Sequence, residues 1–203
     1  MTEKIDLYKS LKQEYAAPKK PRLVQTTDAL FLAITGRGAP GGEGFQESVA
    51  ALYAVAYTVK MTRKADGLQD YVICKLETEW WGDDAETALT DQPRAEWNYR
   101  LQIRTPDCVD EAEPARAAAA LIDKGKSPRV RDVVFHRVAA HQRGQLLHVG
   151  PYDAEGDAFE QIRAMIEGEG LTAAGHPREI YLNDPRRTAP EKLKTILCMP
   201  VAG

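Results

Sequence analysis

Two stretches of this chain align without a gap, LAITGRGAPGGEGF from Leu32 and LLHVGPYDAEGDAF from Leu146. Leu32 falls against Leu146, Gly36 against Gly150, Gly42 against Gly156 and Phe45 against Phe159. In each copy an apolar strand runs through a glycine turn into a helix anchored by phenylalanine. Each copy then continues as strand, loop, strand, and its last strand ends near a proline, Pro106 in one and Pro200 in the other. Such self-similarity predicts two β-α-β-β units in tandem. Neither unit can bury an apolar sheet face alone, so the expected fold is α+β. Its antiparallel sheets carry helices on one side, the repeats pair about a pseudo-twofold axis, and the uncovered faces bound a central ligand groove. Residues 1–20 read as an N-terminal arm or short helix, with repeat 1 over about 21–106, a linker helix over about 111–125 and repeat 2 over about 128–203.

The elements follow from periodicity. Phe45, Val49, Leu52, Ala56 and Val59 recur at helical spacing, which predicts a helix over Glu43–Met61. Leu23–Gly36 reads as one strand, as do Tyr71–Glu79 running into Trp80-Trp81, and Trp97–Arg104 with its strict alternation. Asp83–Gln92 reads as an acidic loop, Glu111–Lys124 as an alanine-rich helix closed by Gly125, and Val130–Val138 and Gly144–Val149 as strands. The helix after Gly150 is carried by Phe159, Ile162, Met165 and Ile166 and ends at Gly168 and Gly170.

Composition narrows the function. A net charge of -3 leaves no basic footprint for nucleic acid. No apolar run approaches the ~18 residues of a membrane span, and lysines and Asp6 interrupt any leader-like core near Met1, so a cytoplasmic protein is expected. Cys74, Cys108 and Cys198 have no metal-like spacing and His136, His141, His148 and His176 no paired spacing, so neither metal nor cofactor is expected.

The stretch Glu179-Ile180-Tyr181-Leu182 alternates polar and apolar residues, then breaks at Asp184-Pro185 before a returning strand over Leu193–Val201. Period two sets Glu179, Tyr181 and Asn183 on one face and Ile180 and Leu182 on the other. A carboxylate beside a phenol, opposite two aliphatics, suits a strand that lines a cleft; a structural salt bridge to Arg178, Arg186 or Arg187 is the plainer alternative.

Several motifs together resemble one family: Gly36-x-Gly38-x-Pro40, Glu79-Trp80-Trp81, Trp97-x-Tyr99-x-Leu101, His148-Val149-Gly150-Pro151-Tyr152 and Glu179-Ile180-Tyr181-Leu182-x-Asp184-Pro185-Arg186-Arg187. They are similar to the GyrI-like small-molecule-binding family, over essentially the whole chain from Pro21. The resemblance implies a groove that binds lipophilic, often cationic, aromatic compounds between stacked rings and a glutamate. It points to Glu179 and Tyr152 as the groove glutamate and its tyrosine, with Trp80, Trp81, Trp97, Tyr53, Tyr57, Tyr99 and Tyr181 as ligand-binding aromatics. A stand-alone branch with the double tryptophan includes hydrolases that open cyclopropane rings of DNA-alkylating natural products; in such a reaction Glu179 serves as base, a tyrosine polarises the conjugated carbonyl, and Glu77 or Glu79 enters as second carboxylate by pseudo-symmetry. Gyrase-interacting or regulatory proteins form another branch, for which the acidic clusters Asp83–Glu86 and Asp107–Glu113 are the features to weigh. Haem-binding proteins of the similar SOUL-like fold are a distant comparison. The leading expectation is polyspecific binding of lipophilic aromatic compounds, for detoxification or sequestration, followed by the hydrolase.

Overall fold

The computed structural model describes residues 3–84 and 89–202; Glu86 of the first acidic cluster lies outside them. Its elements in chain order are α1 (Leu7–Ser10), β1 (Arg22–Gln25), β2 (Ala29–Arg37), α2 (Glu43–Ala65), β3 (Leu76–Trp81) and β4 (Asn98–Thr105). There follow α3 (Glu113–Asp123), β5 (Val134–Val138), β6 (Gln142–Val149), α4 (Gly156–Gly168), β7 (Thr172–Ala173), β8 (Arg178–Tyr181) and β9 (Lys194–Ala202). The fold is α+β, and its strand ladders are antiparallel.

The chain forms two compact units that do not follow chain order. One comprises Met1–Ser10, Ala29–Leu76 and Trp80–Val138; the other comprises Leu11–Asp28, Glu77–Glu79 and Ala139–Gly203. The expected single strand over Leu23–Gly36 is in fact two. The break is made by tertiary hydrogen bonds that no local pattern reveals: Thr26 N and Oγ1 both donate to the His141 carbonyl, at 2.8 and 2.9 Å, and Asp28 Oδ1 accepts from Ala140 N at 2.7 Å. These hold β1 beside β6 in the second unit, while β2 belongs to the first.

In the first unit β2 lies between β4 and β5. Register sets Leu32 opposite Ile103 and Ile34 opposite Leu101, all with at most 1% of their surface exposed. The helix α2 covers this unit's sheet with Leu52, Val55, Ala56 and Val59; the helical spacing marked Leu52, Ala56 and Val59 among these, while its Phe45 and Val49 are only half-buried. Arg63 fastens α2 to α3 through two bonds to Glu113, at 2.9 and 3.0 Å.

In the second unit β6 pairs with β1 on one side and β9 on the other, β8 pairs with β9, and Glu77–Glu79 of β3 pair with β8. The helix α4 lies on one face, packing Ala158, Ile162 and Ile166 against Leu146, Leu197 and Met199. Each such aliphatic side chain contributes roughly 1.5–3 kcal/mol on burial. Gly144 lets the helix approach: a Cβ there would stand 2.6 Å from Ile162 Cγ2. The arm before β1 is tied down too, since Arg143 and Gln145 donate to the carbonyls of Glu14 and Ala16.

Candidate functional site

The register of the second unit decides where Glu179 points. Glu179 stands opposite Leu197 on β9 and Thr78 on β3, and Tyr181 stands opposite Thr195. Opposed residues of antiparallel strands share a face, and Leu197 lies beneath α4. Glu179, Tyr181, Thr195 and Thr78 therefore share the helix-covered face, while the fully buried Ile180 pairs with Ile196 on the other. The alternation expected from the sequence holds. The face is the one that carries α4, not the uncovered face expected to bound a groove, and the group of residues lies where α4 begins.

Tyr181 donates its hydroxyl proton to Glu179 Oε2 at 2.6 Å. Burial first, then the negative Glu179, drives the Tyr181 phenol well above its ordinary value, so it stays a donor. Tyr152, in the turn before α4, meets the Tyr181 ring edge-on at 5.5 Å and keeps 37% of its surface exposed. Its phenol is pushed up to about 12 by burial and by the charges of Glu155, Glu179 and Asp184.

Glu155 occupies the N-cap position of α4, yet its side chain makes no capping bond. It is 4% exposed, and Oε1 has no hydrogen-bond partner. Burial first, then the negative charge of Glu179, raises the Glu155 carboxyl to about 9; Thr195 acts in the opposite sense. Thr195 and Thr78 are fully buried, and each leaves its Oγ1 without a partner. A buried polar atom without a partner is uncommon in folded proteins. Glu155 Oε1, Thr195 Oγ1 and Thr78 Oγ1 are three such atoms.

Glu77 and Glu79 are not the second carboxylate. Register sets them opposite Ile180 and Arg178, on the face away from Glu179. Arg178 Nη1 donates to Glu77 at 3.1 Å and its Nη2 to Glu79 at 2.5 Å, and the Tyr15 hydroxyl donates to Glu77 Oε1 at 3.1 Å. Arg178, one of the three arginines weighed as a salt-bridge partner for Glu179, thus pairs with these two carboxylates. His148 bonds through Nε2 to the Pro151 carbonyl at 3.1 Å, a role in shaping the turn.

The other aromatic residues expected at the site belong to the first unit. Trp80 stacks on Phe45 at 5.5 Å and meets Tyr99 and Trp97 edge-on, both at 5.8 Å. Trp80 is 3% and Tyr99 1% exposed, so neither offers a ring face for stacking on a ligand. The Tyr99 hydroxyl donates to the Gly44 carbonyl at 3.0 Å, which anchors the start of α2. Trp97 and Trp81 are half-buried, with the guanidinium groups of Arg94 and Arg100, each at 5.6 Å, over their rings. Tyr53 and Tyr57 stack at 6.2 Å on α2, and Tyr57 lines a shallow depression of about 280 Å³ with Lys4, Lys60 and Tyr71.

The family model for the GyrI-like small molecule binding domain matches residues 102–202. An uncharacterized conserved protein from Listeria innocua is 35% identical, with 98% of this chain and 100% of that chain covered and a TM-score of 0.89. A hydrolase from the same organism is 34% identical over the same shares, with a TM-score of 0.86. The chain belongs to the GyrI-like family. The EcmrR C-terminal domain shares the GyrI-like fold at 12% identity and a TM-score of 0.56, over 90% of this chain and 97% of that one. No curated protein matches, and among the described residues no helix is long and apolar enough to cross a membrane.

The group around Glu179 contains one residue not singled out from the sequence, Glu155. The signal was present. The gapless alignment that pairs Gly42 with Gly156 also sets Glu155 against Gly41 and Tyr152 against Gly38.

Proposed function

We propose that this GyrI-like protein binds lipophilic, often cationic, aromatic compounds beside Glu155 and Glu179, and hydrolyses those with a strained ring conjugated to a carbonyl. Cyclopropane-bearing DNA-alkylating natural products are the substrate class. The observation that carries the reading is the carboxyl pair itself. Burial and mutual repulsion keep one member protonated near neutral pH, while Tyr181 holds the other as an acceptor. Membership of a small-molecule-binding family supports ligand binding, and a relative 34% identical and named as a hydrolase supports turnover.

The reaction is an addition of water. Glu179 accepts a proton from the attacking water, whose oxygen bonds to a ring carbon. The strained carbon–carbon bond breaks, and its electron pair passes through the conjugated system to the carbonyl oxygen. Tyr152, at the exposed rim and with its proton firmly held, donates a hydrogen bond to that developing oxyanion. The oxyanion then takes up one proton, equal to the one Glu179 releases, so the net change is one added water.

The test pairs turnover with binding. Wild type, Glu179→Gln and Tyr152→Phe are each incubated with a cyclopropane-bearing alkylator, and the hydrated product is followed by mass spectrometry. Wild type should form it, and loss of the base should slow formation by about 10²–10⁴-fold. Absence of both turnover and binding of aromatic compounds in wild type would overturn the reading.

A further inference from the structure

We infer that Glu155 exchanges its proton for a ligand cation: the empty site holds one proton on the Glu155–Glu179 pair, and a lipophilic cation displaces it on binding. The inference rests on the ligand-binding reading above and adds how the site is regulated.

The geometry supplies the argument. Glu155 is buried at the start of a thirteen-residue helix, with Oε1 unsatisfied, and the buried hydroxyls of Thr195 and Thr78 are unsatisfied near it. The charge that acts on Glu155 is the negative one of Glu179. The elements around it bring acids, phenols and hydroxyls. The turn before α4 brings Tyr152; β8 brings Glu179 and Tyr181; the segment after β8 brings Asp184, whose charge reaches Tyr152; β9 and β3 bring threonines. His148 on β6 is occupied with the Pro151 carbonyl, and Arg178 lies on the opposite face with Glu77 and Glu79. Glu179 thus disfavours a second negative charge at Glu155. A protonated Glu155 is the folded protein's own solution, in keeping with a carboxyl raised to about 9. A cation set beside the pair removes the reason for that proton, so cation binding and proton release become linked.

Two consequences follow. Near neutral pH, binding a singly charged cation should release about one proton, and affinity should rise by up to about tenfold per pH unit below the Glu155 value. A neutral aromatic compound of similar shape should bind without proton release.

The experiment is calorimetric titration of the wild-type protein with rhodamine 6G in buffers of different ionisation enthalpy at about pH 7, repeated at lower and higher pH. Proton release near one per dye, absent in Glu155→Gln, supports the exchange. Dye binding with no proton release and a flat pH profile in wild type overturns it, while leaving the ligand-binding reading intact. Failure to bind either rhodamine 6G or a neutral polycyclic compound overturns both. The decisive count is made on wild type, so the outcome does not depend on the variant folding.

Discussion

Replacing Glu155 by glutamine should make the protein less sensitive to alkali, and the size of the effect can be worked from the site. The Glu155 carboxyl titrates near 9 in the folded protein against an ordinary 4.5. Between those values the folded chain keeps a proton that the unfolded chain has lost. Stability from this group is therefore full below the lower value, falls as pH rises, and is spent above the upper one. The slope is about 1.4 kcal/mol per pH unit while one proton separates the two states. Glutamine has the shape of the protonated acid and does not titrate. The variant should match wild type near pH 5 and gain on it by about 3 kcal/mol between about pH 6 and pH 8, an upper value because the pair relaxes as it ionises. Urea unfolding followed by far-UV circular dichroism at each pH gives the difference, and other titrating groups cancel in the subtraction. A difference that stays flat across this range would mean that Glu155 is ionised in the folded protein, and the carboxyl-pair argument would fail.

Other perturbations have equally definite expectations. Arg178→Met removes a buried guanidinium from Glu77 and Glu79 and should cost about 3–5 kcal/mol in urea unfolding; a loss below about 1 kcal/mol would mean that the pairing behaves as a solvent-screened one. Gly144→Ala drives a methyl group into Ile162 and should destabilise by about 1–3 kcal/mol, whereas Gly156→Ala, with open space around its Cβ position at the start of α4, should be neutral or stabilising by up to about 1 kcal/mol. Thermal melts of the two glycine variants that moved together would refute the packing argument. Leu197→Ala opens a cavity under α4 and should cost about 2–5 kcal/mol by denaturant titration, with little loss if the helix can settle onto the sheet.

How much of this was legible depended on whether the cause was local. The alternation of Glu179, Ile180 and Tyr181 gave their faces, because strand period is fixed by backbone geometry. The helical spacing from Phe45 to Val59 gave α2, which runs one turn further, to Ala65. The break between β1 and β2 was hidden, because its cause is a set of three bonds to His141 and Ala140, far along the chain. The role of Glu77 and Glu79 was hidden for a similar reason. Pseudo-symmetry suggested a site, but the register of β3 on β8 turns both toward Arg178. Glu155 is a harder case. It lies in a turn, where no periodicity assigns a face, and its chemistry comes wholly from tertiary burial beside another carboxyl.

The duplication explains why chemistry could collect in one copy alone. In the first copy the turn passes through positive φ at Gly38 and Gly41, at 138° and 74°, a backbone region that residues with a Cβ adopt only under strain. Those positions are held to glycine by the path of the chain. In the second copy the aligned residues Tyr152 and Glu155 lie in a tighter turn with negative φ, so side chains became permissible there. The start of each helix was then completed differently. The first is closed by Tyr99, which donates to Gly44 within an aromatic cluster of Phe45 and Trp80. Around the start of the second lie two carboxyls, two phenols and two buried threonine hydroxyls. A satisfied aromatic core favours stability, whereas a crowd of acids with unfilled hydrogen-bonding capacity works against it. Retaining the second arrangement makes physical sense where an incoming molecule meets its unmet charge and hydrogen bonds.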